Sequence, residues 1–162
     1  MASIYKILES RNCLRQALVL PGCFAAIALC VLPVRAEEHV VRTRRTEWVP
    51  SVLFIQPGDT VIWLGMRGHE TELIEGMGPE GGTQWDSLLD AEGFKVTFAA
   101  SGAYIYSCDI HMTNGMVGAI VVGDVEPSNV AAIDTALPQV ENGRVFVERI
   151  IGRMKRELNR RK

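Results

Sequence analysis

The chain has 162 residues, 48% of them hydrophobic and 22% charged, enough for one domain with a sizeable core. Its formal net charge of −2 hides an uneven distribution: residues 153–162 carry six Lys and Arg beside the single acid Glu157. Residues 37–152 carry 7 basic against 17 acidic groups, a balance of −10 that argues against nucleic acid as a partner and fits either a basic docking surface or plain solubility.

The first 36 residues stand apart. Lys6, Arg11 and Arg15 make a positive start, residues 17–32 are almost wholly apolar, and Val34-Arg35-Ala36 ends in a small residue. That is the pattern of a secretory signal cleaved after Ala36, which implies export to the periplasm. A retained membrane anchor is the alternative, but the apolar run is short for a span and polar sequence follows it. Leu20-Pro21-Gly22-Cys23 is a poor lipoprotein cleavage box, and these first 36 residues hold no twin-arginine pair. Cleavage would remove Cys13, Cys23 and Cys30, leaving Cys108 alone in a mature chain of net charge −5. An exported protein normally spends cysteines on disulfides, so a lone thiol there is either inert and buried or held by a metal.

From residue 37 onward the pattern is that of short strands. Val40 and Val41 begin the first, with residues 42–45 as a solvated edge and His39 as a strand residue without a role. Residues 48–55 mix β-branched and aromatic side chains, and Pro50 confines that part to an edge or bulge. Pro57-Gly58-Asp59 is a turn, and residues 60–64 form a strand ending at Gly65, just before His69. Residues 70–92 are acidic and Gly-rich. They read as a long excursion with a short helix, anchored by Trp85, Leu88 and Leu89. Residues 94–98 alternate as a strand, Ser101-Gly102 turns the chain into a strand over 104–108, and residues 116–122 make the last. Strands separated by Gly and Pro turns predict an all-β sandwich or barrel over residues 37–124. Residues 125–162 are predicted as a helical extension of the same domain. A short helix runs from Pro127 to about Ala136 and is broken by Pro138. A second places Val147, Ile150, Ile151, Met154 and Leu158 on one face and arginines on another. Such a basic amphipathic helix could also lie on a membrane surface.

The chemistry concentrates between the last two strands, where Cys108, His111 and Met116 are spaced Cys-x2-His-x4-Met. One thiolate, one imidazole and one thioether suit copper cycling between two oxidation states. A second imidazole would complete a His2Cys set with a weak axial Met, and His69 is the candidate. Taken singly, His69 reads as a turn histidine, Met116 as core and His111 as a loop cap. Together, with one cysteine left after cleavage, they predict a single copper ion held by His69, Cys108, His111 and Met116. Zinc would make poor use of the Met, and the Cys-x-x-Cys-His of a c-type haem is absent. Met112 is placed beside the site and not in it.

These motifs give the chain its resemblance. Pro57-Gly58-Asp59-Thr60-Val61, Gly68-His69, Gly102-Ala103-Tyr104, Cys108-x2-His111-x4-Met116 and Val122-Gly123-Asp124 follow one another as in the cupredoxins. The two C-terminal helices make it similar to the pseudoazurins among them. The resemblance implies an eight-stranded Greek-key β-sandwich, a type 1 blue copper site with the four ligands above, and a partly exposed His111 as electron port. It further implies a periplasmic one-electron carrier, not an enzyme, serving nitrite or nitrous oxide reductase, whereas the acidic body fits a cytochrome c or a dehydrogenase with a basic patch. Three departures stand out. Glu70 occupies a position where these proteins commonly have an Asn tying the ligand loops, and Asp109-Ile110 replaces Thr/Ser-Pro. The usual lysine ring is reduced to Arg67. Carboxylates at 70 and 109 would favour oxidised copper and lower its potential. A copper chaperone or storage protein, or a docking module of a larger redox complex, are the competing readings.

Overall fold

The computed structural model describes residues 35–123 and 126–162. The expected leader up to residue 34, with its three cysteines, and Asp124 lie outside the described residues. What is described belongs to one compact unit, Val34–Lys162. Among the described residues eight strands form two four-stranded sheets: β1 (Glu38–Arg44), β2 (Glu47–Val49), β3 (Val52–Ile55), β4 (Thr60–Leu64), β5 (Glu72–Leu73), β6 (Phe94–Thr97), β7 (Gly102–Ser107) and β8 (Val117–Val122). One sheet runs β2-β1-β4-β6, the other β3-β8-β7-β5. β1 pairs parallel with β4, and β3 parallel with β8; the remaining pairs are antiparallel.

The segment read as one strand over 48–55 is two. Trp48-Val49 ends a hairpin with β1, and the chain then crosses at Pro50-Ser51 to open the other sheet with β3. Pro50, joined by a cis bond, sits at the crossing, where no ladder needs its missing N–H. Of residues 42–45, expected as a solvated edge, Arg42 and Arg44 are exposed, and 42–44 are ladder residues of that hairpin.

β7 and β8 are buried at every position. An unbroken apolar run is what a strand covered on both faces requires. Toward the first sheet, Tyr104, Tyr106, Ile120 and Val122 join Val41, Val61, Trp63 and Val96. Away from it, Ala103, Ile105, Val117, Ala119 and Val121 meet a helical layer of α1 (Val130–Ala136) and α2 (Arg144–Asn159). α2 contributes the predicted stripe, with Val147, Ile150, Ile151 and Met154 buried. Its apolar face is therefore used on the sandwich and is not free for a lipid surface. Among the described residues no helix is long and apolar enough to cross a membrane. Pro138 ends α1 as expected, although the chain continues through one 3-10 turn, Leu137–Gln139.

Gly118 lies directly across from Tyr106 in the β7–β8 ladder, and a Cβ there would fall 2.4 Å from that ring. The missing side chain lets the aromatic lie flat over β8. Asn129 fastens the helices: its amide accepts from Ala103 N at 2.9 Å and donates to Ala103 O at 2.8 Å, serving the β7 backbone beyond the end of two-residue β5.

Residues 70–92 form no helix. They hold β5, turns and an isolated bridge between Glu72 and Asp86. Trp85 is the anchor expected, 8% exposed and packed on Trp63, Phe98 and Tyr106. Leu88 and Leu89 are not anchors; they are 83% and 53% exposed. Glycines at 76 and 81 in left-handed conformation, with backbone bonds closing short turns, break up any helical ladder there.

Candidate metal centre

The loop from β7 to β8 is closed by its own backbone. Cys108 precedes a 3-10 turn, Asp109–Asn114, and Gly115 ends it in the left-handed conformation with φ 93°. Cys108 N donates to Met116 O (3.0 Å), His111 N to Cys108 O (3.0 Å) and Met116 N to His111 O (3.2 Å). These bonds hold the backbones of Cys108, His111 and Met116 together without help from distant parts of the chain. Met112 turns away into the core shared with the helices.

His69 arrives from the other sheet. After β4 the chain turns at Gly65 and Gly68, both at positive φ, and His69 N bonds Met66 O at 2.8 Å. Carboxylates from the following loop hold this turn. Glu92 accepts from Gly65 N (2.9 Å) and Met66 N (2.8 Å), and Asp90 accepts from Gly68 N (2.5 Å). Asp90 N in turn donates to His69 O at 3.0 Å, and Thr43 Oγ1 donates to Gly65 O. Trp48, buried, stacks its ring 6.5 Å from that of His69 and 5.5 Å from Tyr106, closing the site from the side of β2.

The donors converge. Cys108 Sγ lies 3.4 Å from His111 Nδ1 and 3.9 Å from His69 Nδ1, and all three donor atoms fall within 4.8 Å of one another. Atoms bound to one ion at the ~2.0–2.3 Å typical of metal–nitrogen and metal–thiolate bonds stand about 3–4 Å apart, so the spacing fits a shared metal. Met116 is fully buried in the same cluster as Cys108. Both imidazoles are half-buried, with ring centroids 4.8 Å apart.

The electrostatics agree with a cation between them. Burial pushes the Cys108 thiol above its ordinary value, and the Glu70 and Asp109 carboxylates push it the same way, against backbone bonds from Glu70 and His111. A metal ion reverses that balance, because a coordinating thiol is deprotonated outright. Burial, then the neighbouring His111, lowers His69, against Asp90. The imidazole is thus kept neutral, the form that binds metal. Glu70 ties the two loops through its backbone N–H to Cys108 Sγ.

Four acids gather at this end. Glu72 is raised by burial first, then by Asp109, Asp86 and Glu70. Ile110, beside His111, and Leu88 and Leu89, beside the Asp90–His69 link, leave apolar side chains in solvent. The sequence singled out neither the clamp of Asp90 and Glu92 nor Trp48. Carboxylates in an acidic loop carry no mark of which backbone N–H they will meet.

A β-sandwich with a cysteine thiol and two imidazoles brought together from its two sheets defines a cupredoxin-type copper protein. Residues 37–123 match the family of copper binding proteins described as plastocyanin/azurin, and the chain belongs to that family. Within it the likeness is to pseudoazurins. The chain is 30% identical over 116 residues to the pseudoazurin of Methylorubrum extorquens, covering 67% of this chain and 78% of that one. It is 32% identical over 101 residues to that of Paracoccus pantotrophus, covering 61% and 68%. The solved structure of a Sinorhizobium meliloti pseudoazurin superposes with a TM-score of 0.63 at 34% identity, over 71% of this chain and 94% of that one. Copper is the metal of this family, and the thiol and imidazole donors gathered here suit it.

Proposed function

We propose that this chain is a periplasmic blue copper protein, exported with cleavage after Ala36, that carries single electrons between redox proteins. His69, Cys108, His111 and Met116 hold the ion. The observation that carries this reading is the convergence of one buried thiol and two imidazoles from two sheets, with a buried thioether in the same cluster. Copper bound there supplies a centre that takes up and releases one electron.

The chain's own part is to keep the donors still. Three of them sit on a loop closed by its own backbone bonds between two fully buried strands, and the fourth sits on a turn clamped by Asp90 and Glu92. Donors that do not move keep reorganisation small when the electron is exchanged. The half-buried imidazole edges give the route to the surface, with His111 as the port. Ile110, Leu88 and Leu89 exclude water from a docked partner there, and the acids at 70, 72, 86 and 109 select one with a basic face. A cytochrome c or a periplasmic dehydrogenase fits that requirement better than a reductase docking through a lysine ring.

The test is the optical and electron spin resonance spectrum of the protein starting at Glu37, loaded with one equivalent of copper(II). The expected result is an intense thiolate-to-copper band with narrow hyperfine splitting, lost completely in Cys108→Ser. Colourless, easily exchanged copper would overturn the carrier reading.

A further inference from the structure

Outside the metal centre, one carboxylate is almost sealed from solvent. Asp59, in the turn before β4, is 3% exposed and accepts from Glu37 N (2.8 Å), Gln56 N (2.8 Å) and His39 Nε2 (2.8 Å). Burial works to raise Asp59, yet these bonds together hold it below its ordinary value, so it is an anion in the folded protein. His39 is therefore no idle strand residue. The third donor has a particular standing: Glu37 N is the nitrogen that leader cleavage after Ala36 would set free.

We propose that cleavage after Ala36 completes this site, delivering the new α-ammonium of Glu37 to the Asp59 carboxylate as a buried-end ion pair. The inference rests on the cleavage position given above and adds a structural reason for it. Residues 35–37 are exposed and precede the first strand residue, Glu38, so the bond is within reach of a leader peptidase. Hydrolysis consumes one water, breaks the Ala36 C–Glu37 N bond, leaves a carboxylate on Ala36 and an amine on Glu37, and the amine takes up a proton at neutral pH. Position matters to one residue. Glu37 O already accepts from Thr60 N at 2.9 Å, so cutting after Glu37 would remove both the ladder bond and the Asp59 contact. Cutting earlier would leave a neutral amide at the contact.

The charge arithmetic favours the processed end. A buried carboxylate needs a partner of opposite charge. An α-amine stays protonated to about pH 8, so at neutral pH the freed end brings a full positive charge to the carboxylate that His39 already contacts. The other charged groups here are occupied or solvated: Glu38 pairs with Lys95 at 2.7 Å, and the Glu37 side chain is exposed. Thr60 and Thr97 bond each other beside them.

The experiment has three readouts. The N-terminal mass of the exported protein reads cleavage: a start at Glu37 is expected, and any other start overturns the proposal while leaving the copper band untouched. Titration of the 15N-labelled Glu37 amine in the same protein reads the pair. Its pKa should lie above the ordinary range of about 7.7–8.0, with acylation at pH 7.5 roughly tenfold slower than in urea. Finally, protein acetylated at that amine, or starting at Ala36, should melt at lower temperature, and the gap should close as pH rises through the folded pKa of the amine. Asp59→Asn should abolish the difference, and His39→Gln should keep it. An amine titrating in the ordinary range in the folded protein, or equal melting of free and acetylated forms, would overturn the ion pair.

Discussion

The two halves of the metal centre are built by different means. The Cys108–Met116 loop is local: its bonds run between residues at most eight apart, and its flanking strands are buried on both faces. The His69 turn is assembled from afar, its N–H groups met by carboxylates 22 to 27 residues along the chain and exposed to water. The first half is rigid because its own backbone bonds close it and both its ends are set in fully buried strands. The second depends on groups that titrate and that water can replace. A site of this kind should therefore fail unevenly, losing its cysteine loop only with the fold but loosening at His69 under milder insult.

The sharpest test is to damage the support of the rigid half. Gly118→Ala puts a methyl into the Tyr106 ring, and overpacking of this sort costs about 1–3 kcal/mol. A lower melting temperature for the whole unit is expected, with copper affinity falling only as the fold is lost. Loss of the blue band without loss of stability would show that the loop is not supported by the strands as described.

Next in size is the clamp. Backbone bonds from Gly65 and Met66 lower Glu92, so its stabilising effect is present above the ordinary value of 4.5 and lost as pH falls through its depressed folded pKa. Amide exchange at Gly65 and Met66 should accelerate in that acid window while exchange at Cys108 and Met116 does not. Glu92→Gln should remove the pH dependence, raising exchange at those two amides already at neutral pH. Uniform acceleration across both halves would erase the distinction.

The smallest expected effect is electrostatic. Glu70→Asn removes one carboxylate that works against the Cys108 thiol but keeps the backbone N–H that bonds the sulfur. The spectrum should be unchanged and the reduction potential should rise, as read by redox titration at constant pH. An unchanged potential would mean that solvent screens this charge completely.

Much of this was legible beforehand because the signals are local. Cys-x2-His-x4-Met compresses three donors into one loop, and the apolar runs at 104–108 and 116–122 on either side of it read as strands. The period of residues 147–158 marks a helix with one apolar side. What could not be read was where an acidic, Gly-rich stretch would put its groups. Residues 70–92 suggested a helix and two leucine anchors. The backbone instead bends at left-handed glycines, leaves Leu88 and Leu89 in water and turns Asp90 and Glu92 onto the His69 turn. His39 was dismissed for a similar reason, since its partner Asp59 lies in a turn 20 residues away.

By itself the sequence determined the ligand types, the strand and helix periods and the family, because each is written in spacing along the chain. Only the tertiary structure decided that the single strand expected over 48–55 divides at Pro50 between two sheets, that Trp48 lies against His69, and that buried Asp59 draws Glu37, Gln56 and His39 together. Those outcomes depend on which polar groups remain unpaired once the two sheets have closed on each other, and that is a property of the packed chain, not of any stretch of it.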